Sequence, residues 1–324
     1  MYYQTEIGTD IERAAALLGA GELVAIPTET VYGLAGNALN SKSVAAIFEV
    51  KNRPHFDPLI LHVASAAMLA AWAAEVPPLL QRLADVFMPG PLTLLLPKQD
   101  IIPELVTSGL PRVALRVPAH PLTRALLEKI AFPLAAPSAN PFGYISPTTA
   151  LHVFQQLQGK IPYILDGGSC SVGLESTIVG MEEGEVVVYR KGGLAVEQIE
   201  ALLGKVRVNV HSSSNPMAPG MLKSHYAPRV PLVLGHPEDY RQQCPAERMG
   251  VISFRHKVAG IPDDHQCVLS PEGHLAEAAQ QLFAAMRYLD GKDLDLIVAE
   301  LVPEQQLGRA INDRLRRAAA TEAE

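Results

Sequence analysis

The chain has 324 residues, 48% apolar and 19% charged, with a net charge of −7. A single core stops growing near ~250–300 residues, so two soluble globular domains are expected. No apolar run nears the ~20 residues that span a bilayer, the N-terminus lacks the basic and apolar regions of an export signal, and the acidic balance argues against broad nucleic-acid binding, which leaves the cytoplasm as the default location.

Residues 9–19 predict an amphipathic helix, with Ile11, Ala14, Leu17 and Leu18 on one face. Leu23–Ile26 reads as a strand that breaks at Pro27, and a hydroxyl-rich turn, Thr28-Glu29-Thr30, leads to Tyr32, Gly33 and Gly36. A helix is expected from Ser41, read as its N-cap, to Lys51-Asn52-Arg53-Pro54. Small donors at a strand end, followed by Lys and Arg at a helix end, suit an anion: hydroxyls supply direction, lysine a point charge and arginine a fork. The same cations would equally complement the helix dipole, and this stretch alone does not choose between the two.

Leu59–Val63 reads as a buried strand, where a lone His62 is more often a satisfied core side chain. A short helix from Ser65 and one over Leu79–Phe87 precede the break Pro89-Gly90-Pro91 and the strand Leu92–Leu96. Arg112–Val117 is a further strand, followed by a helix over Leu122–Ile130. Phe132–Ala136 runs into Pro137-Ser138-Ala139-Asn140-Pro141, where two prolines fix the backbone so that Ser138 and Asn140 project from one loop. Ser146-Pro147 opens the next helix, with Ser146 as a cap or a phosphate contact. Ile164–Ser169 ends a strand in glycines. Gly173 precedes Ser176-Thr177 and allows a ligand close to the main chain, and Val186–Gly192 ends a strand in Arg190-Lys191. This recurrence of strand, helix and break through Leu202 predicts an α/β fold with a mixed sheet.

Residues 206–229 change character: serine- and proline-rich, without an acidic residue, they carry +3 between flanks of −5 each. They read as a linker, although a plain spacer would not need Met221-Leu222-Lys223-Ser224-His225-Tyr226. Beyond it, strands Pro231–Leu234, Met249–Phe254 and Leu294–Ala299 alternate with helices Leu275–Tyr288 and Gly308–Ala319, the pattern of a small Rossmann-like parallel sheet without a G-x-G-x-x-G fingerprint. The final helix reads as a basic surface helix that at most docks on the first domain or the linker. Cys170, Cys244 and Cys267 form no CxxC pair and read as free thiols in buried positions.

Pro27-Thr28-Glu29-Thr30-Val31-Tyr32-Gly33-Leu34, Lys51-Asn52-Arg53-Pro54 and Pro137-Ser138-Ala139-Asn140, in that order, resemble the YrdC-like family. Length and C-terminal half are similar to its two-domain L-threonylcarbamoyladenylate synthases. The resemblance implies a YrdC-like twisted mixed-sheet domain over 1–205, a linker or lid over 206–229, and a Rossmann-like domain over 230–324. It also implies a reaction: L-threonine, bicarbonate and ATP, with magnesium, give threonylcarbamoyl-AMP and pyrophosphate, which separate proteins use to modify tRNA. Carried over, Thr30, His62, Arg116, Ala136 and Ser176 would form the threonine pocket, with Arg116 on the carboxylate. Lys51, Arg53, Asp57, Arg112, Ser138, Asn140, Ser146, Arg190 and Tyr226 would meet the nucleotide, and Lys51, Arg53 and Arg190 would offset charge in the reaction. Arg112 departs from the family's usual small hydroxyl residue, and Asp57 suits a ribose, a base or a metal shell better than a phosphate. No protein metal ligands are assigned.

Contiguous phosphate-loop, zinc-protease and nucleophile-elbow motifs are absent from the sequence. Two other classes stand against the synthase: an RNA-binding module, disfavoured by the acidic charge of both globular parts, and a carbamoyltransferase, whose zinc-finger cysteines this chain lacks.

Overall fold

Short runs of aliphatic and β-branched residues between glycine and proline breaks give, among the described residues, eleven strands in the first two-thirds of the chain. They are β1 (Glu6–Gly8), β2 (Val24–Ile26), β3 (Gly33–Asn37), β4 (Ile60–His62), β5 (Leu92–Pro97), β6 (Arg112–Arg116), β7 (Leu134–Ala135), β8 (Tyr163–Leu165), β9 (Thr177–Glu182), β10 (Glu185–Arg190) and β11 (Arg207–Val208). They form one sheet in the order β1-β8-β2-β3-β7-β4-β6-β5-β9-β10-β11. Parallel pairs such as β4–β6 and β5–β9 alternate with antiparallel ones such as β5–β6 and β9–β10, so the sheet is mixed. The computed structural model describes residues 3–209 and 225–320. The expected lid falls mostly on 210–224 and so lies largely outside the described residues.

Strand alternation sorts the core. Leu61, Leu115, Leu94 and Val179 stand side by side in register on one face. They bury against Val44, Ile47 and Phe48 of the helix Ser41–Lys51 and Leu80, Leu83 and Ala84 of the helix Pro78–Phe87. Two expected caps move. Asn40, not Ser41, caps the first of these helices, its Oδ1 accepting from Lys42 and Ser43 N–H. Asn is as good a cap as Ser and stands one residue earlier. Likewise Thr149, not Ser146, caps the helix Ala150–Leu157 by accepting from His152 N–H, because Thr149 directly precedes the first helical residue.

A second unit comprises the C-terminal portion together with Gly143–Ile145 and Val172–Leu174. Its four strands, β12 (Leu232–Leu234), β13 (Met249–Ser253), β14 (Gln266–Val268) and β15 (Leu296–Ala299), are all parallel and ordered β12-β15-β13-β14. The final helix, Gly308–Ala318, overturns its reading as a basic surface helix: Arg314 is wholly buried beside Ile311 and Leu315. Its guanidinium lies 5.1 Å from the Tyr226 ring centre, that of Arg317 lies 4.9 Å from it, and Phe283 stacks on the ring at 5.5 Å. A planar, weakly hydrated guanidinium suits such a buried aromatic seat better than a strongly hydrated ammonium. Cys170 and Cys244 are buried and Cys267 is half-buried, all three as free thiols. Among the described residues no helix is long and apolar enough to cross a membrane.

Candidate active site

The opposite face of the first sheet carries the candidate site. Residues two apart on a strand share a face, so Ile60 with His62, Ala114 with Arg116 and Leu95 with Thr93 align through the registers Ile60↔Ala114, His62↔Arg116 and Thr93↔Arg116. Ile60, Leu95, Ala114, Ile178, Val187 and Tyr189 make an apolar floor. His62, Arg116 and Thr93 make its polar end, and Arg112, two steps before Ala114, stands toward the other.

At the polar end a buried arginine requires a buried anion. Glu29, from the turn after β2, provides it: Arg116 Nη2 meets Glu29 Oε1 at 2.7 Å, and Glu29 Oε2 accepts from Ala119 N–H at 2.9 Å. The turn itself is closed by Thr28, whose Oγ1 donates to the Val31 carbonyl at 2.6 Å and lies 2.8 Å from Thr30 Oγ1. His62 is buried beside Arg116. Burial, then the arginine charge, push its pKa down to about 3, so the imidazole stays neutral. Its buried Nδ1 makes no hydrogen bond among the described residues, an arrangement that costs stability until something fills it.

The His62 shift has a consequence for stability. Between its ordinary 6.5 and about 3, the unfolded chain binds a proton that folded His62 refuses. Its contribution is therefore intact above pH 6.5 and lost as pH falls, at about 1.4 kcal/mol per pH unit. In urea unfolding at about pH 7.5 and about pH 5, the H62Q variant is expected to lose about 2 kcal/mol less than the parent. Equal losses would show that His62 titrates normally in the fold.

Next to Thr93, Ser176 Oγ lies 2.7 Å from Thr93 Oγ1, and Arg190 donates from Nε and Nη2 to the Ser176 carbonyl at 3.1 and 2.9 Å and from Nη2 to Ser176 Oγ at 3.1 Å. Arg190 is thus buried rather than solvated at its strand end, with β11 outside it in the sheet. Gly192 makes this approach possible, since a Cβ there would sit 2.2 Å from the Glu175 carbonyl.

A second cluster gathers where the helix Ser41–Lys51 ends. Lys51 does not merely complement the dipole. Its Nζ donates to the Ser138 and Asn140 carbonyls at 2.6 and 2.5 Å and is 1% exposed. Burial, and next the neighbouring Arg53 charge, lower its pKa well below the usual lysine range, against a weaker opposite pull from Asp57. Arg53 pairs with Asp57 at 2.9 Å and donates to the Asp57 and Pro58 carbonyls, its guanidinium 5.8 Å from the Phe142 ring centre. The two clusters share the turn after β2: its Glu29 end holds Arg116, while at its other end the Tyr32 carbonyl accepts from Ala139 N–H at 2.8 Å.

The structure therefore brings together Lys51, Arg53, Asp57, Ser138 and Asn140 in one group, and His62, Arg116, Ser176 and Arg190 in the other. Ala136 follows β7, its N–H bonded to the Ile60 carbonyl at 3.0 Å. Ser146 donates to Glu175 Oε1 at 2.6 Å, next to Ser176. Arg112 donates to Tyr189 Oη at 2.7 Å beyond the apolar floor. Tyr226 belongs to the second unit, where its ring is packed as described above. Sequence reading passed over Glu29, Thr93 and Glu175. The signal for Glu29 was its place as the sole acid in a motif otherwise made of hydroxyls and apolar residues. Thr93, within an apolar strand, gave none. Among the described residues no group of three or more His, Cys, Asp or Glu side chains gathers as a metal site. Asp57, Glu29 and Glu175 each engage a protein partner, a donor set that does not fit a resident cation.

Residues 16–192 match the model of the Sua5–YciO–YrdC family, described as "Telomere recombination", and residues 194–320 match that of the threonylcarbamoyl-AMP synthase C-terminal domain. The chain is 42% identical to a threonylcarbamoyl-AMP synthase of Pyrococcus abyssi, over 95% of this chain and 93% of that one. A threonylcarbamoyl-AMP synthase of Bacillus subtilis is 41% identical over 95% and 92%. Among solved structures, P. abyssi Sua5 complexed with L-threonine superposes with a TM-score of 0.88 at 38% identity, covering 98% of each chain.

Proposed function

We propose, because the chain belongs to the Sua5–YciO–YrdC family in its two-domain form, that its candidate site is where threonylcarbamoyl-AMP is made. The chain is a nucleotidyltransferase of threonylcarbamoyl-AMP synthesis. L-threonine, bicarbonate and ATP are the substrates, and magnesium arrives with the nucleotide rather than on protein ligands. The threonine amine adds carbon dioxide from bicarbonate to give a carbamate, the proton lost by the amine and the hydroxide left by bicarbonate leaving together as water. A carbamate oxygen attacks the α-phosphorus, and the bond to the β-phosphate breaks to release pyrophosphate.

The observation that carries this reading is the unpartnered, buried His62 Nδ1 beside Arg116. A neutral imidazole offers a hydrogen bond without a second positive charge, while Arg116 keeps guanidinium donors for a carboxylate although Glu29 holds one side of it. Ser176 and Thr30 present hydroxyls and Ala136 leaves room for a methyl group. For the nucleotide, Lys51, Arg53 and Arg190 supply charge, with Ser138, Asn140 and Ser146 as polar contacts. Asp57 acts through Arg53, fixing its orientation. Two unit negative charges about 4 Å apart in an effective dielectric of ~20 repel by roughly 4 kcal/mol, close to three powers of ten in rate. Dispersed cations offset that term and stabilise the departing pyrophosphate. An arriving anion also favours the charged form of Lys51, which burial alone disfavours. Threonylcarbamoyl-AMP then passes to separate enzymes that modify tRNA.

Purified protein given ATP, L-threonine and bicarbonate is expected to release pyrophosphate only when all three are present. Release that persists without threonine or without bicarbonate would overturn the reading.

A further inference from the structure

The reaction leaves the second unit's sheet without a task, yet that sheet has a cavity of about 270 Å³ at the carboxyl ends of its strands. Gly235 and His236 line it after β12, Ser253 to Val258 at and after β13, and Val298 and Glu300 at the end of β15. The chain leaving β13 runs out to the edge strand β14, whereas the chain leaving β15 runs to the helix Gly308–Ala318, which packs against β12. The two connections diverge, so the crevice lies at a topological switch point, where open parallel sheets bind ligands.

The lining has a definite chemistry. Ser253 is the last residue of β13 and 3% exposed, and its buried Oγ makes no hydrogen bond among the described residues. At the rim stand Arg255, His256 and His236, together with Lys257, which pairs with Asp263 at 2.7 Å. The Arg255 side chain lies over Gly273: a Cβ at that glycine, whose φ is +79, would come 3.2 Å from Arg255 Nε. The acid in the lining is Glu300, whose Oε2 accepts from Phe254 N–H at 2.9 Å. A cation at the rim, Arg255, with imidazole donors beside it and a carboxylate and an unused hydroxyl within, calls for a ligand bearing an oxyanion at one end and hydroxyls at the other. The volume lies just below the usual range for small-molecule sites, too small for a dinucleotide.

We propose that this crevice is a second binding site, taking a small phosphorylated polyol of pentose phosphate size, its phosphate on Arg255 and the histidines and its hydroxyls on Glu300 and Ser253. Binding here is independent of the reaction assigned to the first sheet. The first site also attracts phosphates, so the readout must be local: the amide NMR signals of Gly235, Ser253, Arg255 and Gly273 in the full chain. Ribose 5-phosphate is expected to shift them to saturation, inorganic phosphate to do so at least about tenfold more weakly, and ribose not at all. Arg255→Ala and Ser253→Ala should each weaken ribose 5-phosphate by about tenfold, near 1.4 kcal/mol, while threonine-dependent pyrophosphate release stays unchanged. Arg255 is exposed and the Ser253 hydroxyl has no partner to lose, so both variants should fold. No saturation at millimolar ribose 5-phosphate, equal binding of inorganic phosphate, or unchanged affinity in Arg255→Ala would each overturn the proposal.

Discussion

Replacing Arg116 by alanine is expected to destabilise the fold by about 3–5 kcal/mol and to abolish threonine-dependent pyrophosphate release. The stability loss comes from Glu29. Both partners are nearly inaccessible, and the 2.7 Å contact is the carboxylate's charged partner in the fold. Removing one member of a buried pair leaves the other desolvated and uncompensated, an error worth about 3–5 kcal/mol. The double variant Arg116→Ala/Glu29→Gln separates the two losses. A neutral amide still accepts from Ala119 N–H through its oxygen, so much of the stability should return in urea unfolding, whereas the guanidinium proposed for the substrate carboxylate is still missing. Activity returning with stability would sink the assigned role of Arg116. A loss below about 1 kcal/mol in the single variant would show that the pair is not buried in solution.

The second large effect falls on Lys51. Lys51→Met keeps the aliphatic stem but removes the ammonium, and pyrophosphate release is expected to fall by about a thousandfold, the rate equivalent of one unscreened repulsion of roughly 4 kcal/mol. The ammonium has two tasks. It bonds the Ser138 and Asn140 carbonyls and so fixes the loop between Pro137 and Pro141, and on the proposed function it carries charge toward the nucleotide. Lys51→Arg should not restore activity, because a guanidinium is too bulky for a site where the lysine is 1% exposed and cannot reproduce a point donor shared by two carbonyls. A fall in Lys51→Met of less than about tenfold would show that the charge is dispensable and the lysine serves the loop alone.

Much of the fold was legible because local signals agreed with the final packing. Proline and glycine breaks bounded most of the strands, and apolar spacing placed the helices Ser41–Lys51, Pro78–Phe87 and Pro121–Lys129 to within a residue or two, whereas the short strands Glu6–Gly8, Arg207–Val208 and Gln266–Val268 carried no such signal. The errors arose where two capping residues competed within a few positions, as Asn40 with Ser41 and Thr149 with Ser146. Composition also misled about the last helix, since four arginines read as solvent-facing until an aromatic ring gives two of them a buried seat. That ring belongs to Tyr226, some ninety residues earlier, and no local pattern records such a pairing.

By itself the sequence determined the family, the mixed sheet followed by a parallel one, and most residue types of the candidate site, because ordered motifs and periodicity are properties of the chain read along its length. Only the tertiary structure decided what those residues do to one another. Glu29 neutralises Arg116, Ser176 bridges Thr93 and Arg190, Lys51 ties down the Ser138 loop, and His62 is stripped of its charge. Each of these depends on distance and on exclusion of water between groups tens of residues apart, and electrostatic energy is set by separation and dielectric rather than by order in the chain.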